Sequence, residues 1–69
     1  MNDVKKGDVL TRIYEDWSSR AEVIEVTQEA IVCLVFVDIP RCMVFDRKTG
    51  ISLLGQEYGR IIEQVETVP

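Results

Sequence analysis

Residues Ala30 to Val37 read Ala-Ile-Val-Cys-Leu-Val-Phe-Val, an uninterrupted apolar run of eight in a chain of 69 residues. Side chains on a strand alternate between two faces, so Ile31, Cys33, Val35 and Val37 share one face while Ala30, Val32, Leu34 and Phe36 share the other. A domain of this size has room for one core, and buries only about 60% of the surface its unfolded chain exposes. The second apolar face therefore calls for a cover: a folded-back segment, another copy of the chain, or a different protein.

Small cores are rarely worth more than ~3–5 kcal/mol, and chains of this length often add a metal, disulfides or oligomerisation. The sequence has no histidine and only two cysteines, Cys33 and Cys42, whereas a structural zinc site needs four ligands in paired spacing. No metal or other cofactor is expected. Free cysteine is among the most buried residue types, so both thiols are expected reduced and in the core, with a disulfide only if the strand register sets Cys33 directly opposite Cys42. Oligomerisation is the remaining supplement.

The opening Met-Asn-Asp-Val-Lys-Lys-Gly-Asp lacks the apolar stretch of a signal peptide, and the apolar run is too short to span a bilayer. The expectation is a cytoplasmic protein without membrane contact. Twelve acidic against eight basic residues give a formal charge of −4, which opposes attraction to phosphate backbones.

Along the chain, Lys5-Lys6-Gly7-Asp8 predicts a turn and Val9 to Glu15 a first strand, on which Leu10, Arg12 and Tyr14 share one face and Val9, Thr11 and Ile13 the other. Asp16-Trp17-Ser18-Ser19 predicts a turn carrying the only tryptophan. Arg20 to Thr27 predicts a second strand, and its apolar positions change phase between Val23 and Ile24, the mark of a β-bulge that bends and twists a small sheet. Pro40 ends the apolar third strand. Arg41 to Asp46 predicts a fourth, closed by an Asp46–Gly50 turn. Ile51 to Leu54 is too short to assign. Arg60 to Glu66 predicts a last strand, with Ile61 and Val65 on one face and Ile62 on the other. Residues 1–69 thus form one domain with frayed tails at about 1–4 and 67–69. Five or six short strands with no sustained helical period predict an all-β fold: a small barrel or a rolled antiparallel sheet.

The opening Lys5-Lys6-Gly7-Asp8-Val9 is similar to the strand-initiating turn of SH3-like barrels of the KOW type. Ala21-Glu22-Val23-Ile24-Glu25-Val26-Thr27 followed by Ile31, and then Phe45-Asp46-Arg47-Lys48-Thr49-Gly50, resemble the small uncharacterised barrels common in phage and prophage genomes. The first resemblance implies contact with RNA or ribosomal protein, usually through basic surfaces, from which this acidic chain departs. The second implies an accessory role in which the protein binds a host complex and inhibits or modulates it.

Without histidine, acid–base catalysis would fall to carboxylates, cysteine, lysine or tyrosine in a cleft that a barrel this small can scarcely form, so no enzyme is expected. The acid pairs Glu15-Asp16 and Glu63 with Glu66 have surface solvation as their ordinary explanation. Gly50 to Gly55 has the glycine spacing of a phosphate loop, but Gln56-Glu57 stands where Lys and Ser/Thr belong, so it is expected to be turn and connector. Trp17 is the leading contact residue, because a large amphipathic ring in a Ser-rich segment costs solubility unless it packs on a partner or folds back over the barrel mouth. Tyr14 and Tyr58 complete a candidate aromatic surface rimmed by Glu15, Asp16 and Glu57, a combination suited to a basic partner surface. Val32, Leu34 and Phe36 form the candidate apolar interface. Arg41, Arg47, Lys48 and Arg60 form a candidate basic patch for RNA or single-stranded DNA, with Phe45 or Tyr58 to stack bases, although Phe45 fits the core better. The expected function is binding to a protein or to a second copy of the chain. Nucleic-acid binding and acidic mimicry of nucleic acid are the alternatives.

Overall fold

The computed structural model describes residues 3–63. Five antiparallel strands, β1 (Val9–Tyr14), β2 (Trp17–Val26), β3 (Ala30–Val35), β4 (Arg41–Asp46) and β5 (Arg60–Ile62), make one strongly curled sheet in the order β4-β3-β2-β1-β5. The all-β expectation of a small barrel or rolled sheet is met. Among the described residues, no helix is long and apolar enough to cross a membrane.

Alternation decides which side chains enter the concave face. Leu10, Ala21, Val23, Ile31, Cys33, Val35, Phe45 and Ile61 are buried there. Register ties them into rows: Leu10 opposes Ala21, Ala21 opposes Val35, Val23 opposes Cys33, and Ile31 opposes Phe45. The bulge falls where the phase change predicts it. Val23 pairs with Cys33 and the next pair is Glu25 with Val32, which leaves Ile24 without a partner and exposed while Val23 and Val26 both pack on the core.

The two edge strands are joined by the segment after the Asp46–Gly50 turn. Ile51 and Ser52 bridge Arg60 and Phe45 respectively; the Ser52 and Leu53 amides donate to the Gly59 and Val44 carbonyls, and the Asp46 and Ile61 amides to the Ile51 and Gly50 carbonyls. This short piece, unassignable by pattern, hydrogen-bonds to both β4 and the start of β5 and so curls the sheet toward closure. The turn itself is held by the Asp46 carboxylate, which accepts from the Lys48 and Thr49 amides and is thereby shifted below the usual aspartate range.

Several expectations are corrected. The first strand ends at Tyr14, and Tyr14 pairs directly with Trp17, so the loop is Glu15-Asp16 alone and Trp17, Ser18 and Ser19 belong to β2. Glu15 supplies the positive φ (53°) that this tight connection needs. The third strand stops at Val35, and Val37 turns out to solvent instead of joining Ile31, Cys33 and Val35. Val4, expected in a frayed tail, is buried, because the Gly7 amide bonds the Val23 carbonyl and the Lys5–Asp8 turn brings the chain back onto the core. Cys42 is exposed, not buried: Leu34 lies opposite it, Met43 lies opposite Cys33, and the two free thiols occupy opposite faces. Burial, with a smaller contribution from Cys42, pushes the Cys33 thiol up to about 11. The described part of the last strand is Arg60–Ile62, with Ile61 in the core; Val65 and the acid pair's Glu66 lie outside the described residues.

Candidate partner-binding groove

On β1 the inward row runs Leu10, Arg12, Tyr14, and on β2 it runs Ala21, Ser19, Trp17, each residue opposite its counterpart. Leu10 and Ala21 are core. Beyond them, toward the hairpin tip, the same face turns aromatic and polar and opens into a groove of about 430 Å³. Phe36, Val37 and Asp38, where the chain has left β3, form its other wall. The Phe36 amide bonds the Arg20 carbonyl, and its ring lies 5.1 Å from the Arg20 guanidinium, itself ion-paired with Glu22, so this wall is tied to β2.

Arg12 is the unexpected member of the site. It is 8% exposed, donates from Nη2 to the Tyr58 carbonyl at 2.7 Å, and stands 4.9 Å from the centre of the Tyr14 ring. Its Nε is buried without a hydrogen-bond partner, and among the described residues no carboxylate pairs with it. Sequence reasoning passed over Arg12; its place between Leu10 and Tyr14 on one strand face was the available signal. Gly59, at φ 91°, keeps the wall behind it thin. A Cβ there would lie 2.6 Å from the Ile13 carbonyl oxygen and 3.3 Å from both Arg12 Nε and Tyr14 Cβ.

The structure gathers three of the candidate contact residues, Tyr14, Trp17 and Phe36, around this groove. Trp17 is 73% exposed and does not fold back over the barrel. Tyr58 contributes its carbonyl to Arg12 while its side chain is exposed elsewhere. Glu15 and Asp16 sit in the hairpin loop beside the aromatic pair, and Glu57 in the 3-10 turn Gln56–Tyr58. Val32 and Leu34 lie on the convex face, half-buried, opposite Val44 and Cys42. Loops of the molecule do not fully shelter them.

The basic candidates are spread out. Arg41 and Arg47 flank opposite ends of the six-residue β4, roughly 20 Å apart at strand rise, and Arg47 Nη1 is bonded to the Thr27 carbonyl. Lys48 follows in the turn. Arg60 lines a second, more polar groove with Ile13, Glu15, Ile51 and Gln56 on the other side of β1 and β5. Phe45, the proposed base-stacking ring, is fully buried.

No family model matches the chain, and neither a curated protein nor a solved structure matches it at a significant level.

Proposed function

We propose that this chain is a non-enzymatic binding module that seats a segment of a protein partner in the groove between the β1–β2 hairpin and the Phe36–Asp38 loop. The observation that carries this is Trp17, almost three-quarters exposed beside Tyr14, Phe36 and Val37. A free indole of that size contributes little to its own fold, whereas tryptophan and tyrosine in a concave site are the side chains that dominate association energies when a partner dries them. The resemblance to phage barrels supports a finer version, in which an accessory protein in the cytoplasm modulates or inhibits a host complex by occupying its surface. Comparative capture from host lysate tests it: a protein retained by the wild type and lost with Trp17→Ala, and then binding the wild type when purified, is the expected result. Equal recovery by both forms rejects the groove.

The convex face favours a second contact, with another copy of the chain. Val32 and Leu34 are only half-buried there, and Val44 (37% exposed) and Ile24 (41%) extend the apolar surface. Light scattering across a dilution series decides this, since a constant monomer mass removes it. Nucleic-acid binding and nucleic-acid mimicry rank behind both, because the arginines are dispersed and the acid content is modest.

A further inference from the structure

A buried guanidinium is expensive unless its charge and donors are met. Arg12 has five N–H donors, of which the Tyr58 carbonyl takes one at 2.7 Å, and among the described residues the Tyr14 ring lies against the guanidinium as well. Nε has no partner, and no carboxylate among the described residues reaches the group. Yet Arg12 lines an open groove that joins Tyr14, Trp17, Phe36 and Val37 to Ser18, Ser19 and Asp38. The site is therefore a largely buried cation with no carboxylate in ion-pair contact among the described residues, set beside the Tyr14, Trp17 and Phe36 rings.

We propose that the groove recognises an aspartate or glutamate side chain of the partner, with its carboxylate on Arg12 and its apolar sequence neighbours against Tyr14, Trp17 and Phe36. This rests on the protein-binding function proposed above and specifies the partner's chemistry. The fork of a guanidinium matches a carboxylate bidentately, and Ser19, opposite Arg12 on the same strand face, adds a short hydroxyl donor. The surroundings select against a polyanion. Asp38 lines the groove, Glu15 and Asp16 occupy the adjoining loop, and the chain carries −4, so successive phosphates or a run of acids meet repulsion that one acid flanked by leucines does not. The rim's acids thus act as a filter, and Arg12 inverts the sequence-based expectation of a basic partner surface at the groove itself.

Trp17 is the only tryptophan, so its fluorescence reports on the groove directly. The full chain is titrated with acetyl-Leu-Glu-Leu-amide, its Gln and Lys counterparts, and a thymidine dinucleotide. The expected result is binding of the Glu peptide at least about tenfold tighter than the Gln peptide, weakened by added salt where the Gln peptide is not. In Arg12→Lys, checked for folding by circular dichroism, the preference falls to a few-fold because the fork is lost. If that variant does not fold, the salt dependence in the wild type carries the test alone. Equal affinity for the Glu and Gln peptides overturns the acidic specificity and leaves the groove standing. Tighter binding of the dinucleotide than of the Glu peptide overturns it in favour of nucleic acid. No response to any peptide also overturns it, and the Trp17→Ala capture then decides separately whether the groove binds protein.

Discussion

Gly59→Ala and Gly7→Ala form a matched pair that separates two reasons for a glycine. Both positions have left-handed φ, 91° and 97°, but a Cβ at Gly7 meets nothing within 4 Å while one at Gly59 lies 2.6 Å from the Ile13 carbonyl oxygen. Alanine at Gly7 bears only the conformational penalty, about 1–2 kcal/mol. Alanine at Gly59, at ψ −175° in a region that only glycine readily adopts, bears at least that penalty plus a backbone overlap that β1 and β5 must open to relieve, about 1–3 kcal/mol more by analogy with overpacked cores. For a small domain with a urea m-value of about 1 kcal/mol/M, the unfolding midpoint should fall 1–3 M further for Gly59→Ala than for Gly7→Ala. Because a core of this size supplies only ~3–5 kcal/mol, the Gly59 variant is expected to be largely unfolded without an osmolyte. Far-UV circular dichroism is the suitable probe, since the exposed Trp17 changes its surroundings little on unfolding. Equal midpoints for the two variants would refute the steric account of Gly59, and with it the thin wall behind Arg12.

The two faces of β3 give a second contrast. Ile31→Glu puts a carboxylate in a fully buried position and should unfold the chain, whereas Leu34→Glu on the half-buried convex face should leave a folded monomer, both read by circular dichroism and light scattering. The thiols should react unequally with a colorimetric disulfide reagent at pH 8, Cys42 at once and Cys33 only as the protein unfolds. Cys33 titrates near 11 when folded against 9.0 for the free thiol, so its contribution to stability is complete below about 9 and is lost as pH climbs from there toward 11; Cys33→Ser should remove that alkaline loss in a melting series. Asp46 behaves oppositely. Its folded carboxylate is held low by the Thr49 and Lys48 amides, so its contribution is present above the ordinary aspartate range and lost as pH falls through the depressed value. Asp46→Ala should lower the melting temperature at neutral pH, and the deficit should vanish in strong acid.

Local chemistry made part of this fold legible. Pro40 before the strand and Asp46 and Gly50 after it delimit β4 at Arg41–Asp46, and the changed phase at Val23 and Ile24 locates the bulge, because both are signals carried by neighbouring residues. What stayed hidden depends on pairing between distant residues. Serines beside Trp17 have turn chemistry, yet Tyr14 and Ile13 across the ladder draw Trp17 and Ser18 into β2. Cys42 looks like a core thiol until register sets it against Leu34. Trp17 and Tyr14 could be named as contact residues from their rings and position, and Phe36 only as a member of the Val32–Leu34 face; that Phe36 leaves that face and joins the other two in one groove follows from where β3 ends. Arg12 shares a strand face with Leu10 and Tyr14, but a lone arginine in an amphipathic strand usually points to water, so that signal is weak.

The hydrogen-bonded segment Ile51–Leu53 has a consequence for behaviour at high concentration. A curled sheet with bare margins offers a template on which other molecules can stack into fibrils. Here the Val44–Asp46 stretch of that margin is hemmed by its own chain, 46 with 51 and 44 with 53. Cutting or lengthening the hem would therefore free that margin for growth strand by strand, even with the interior side chains untouched.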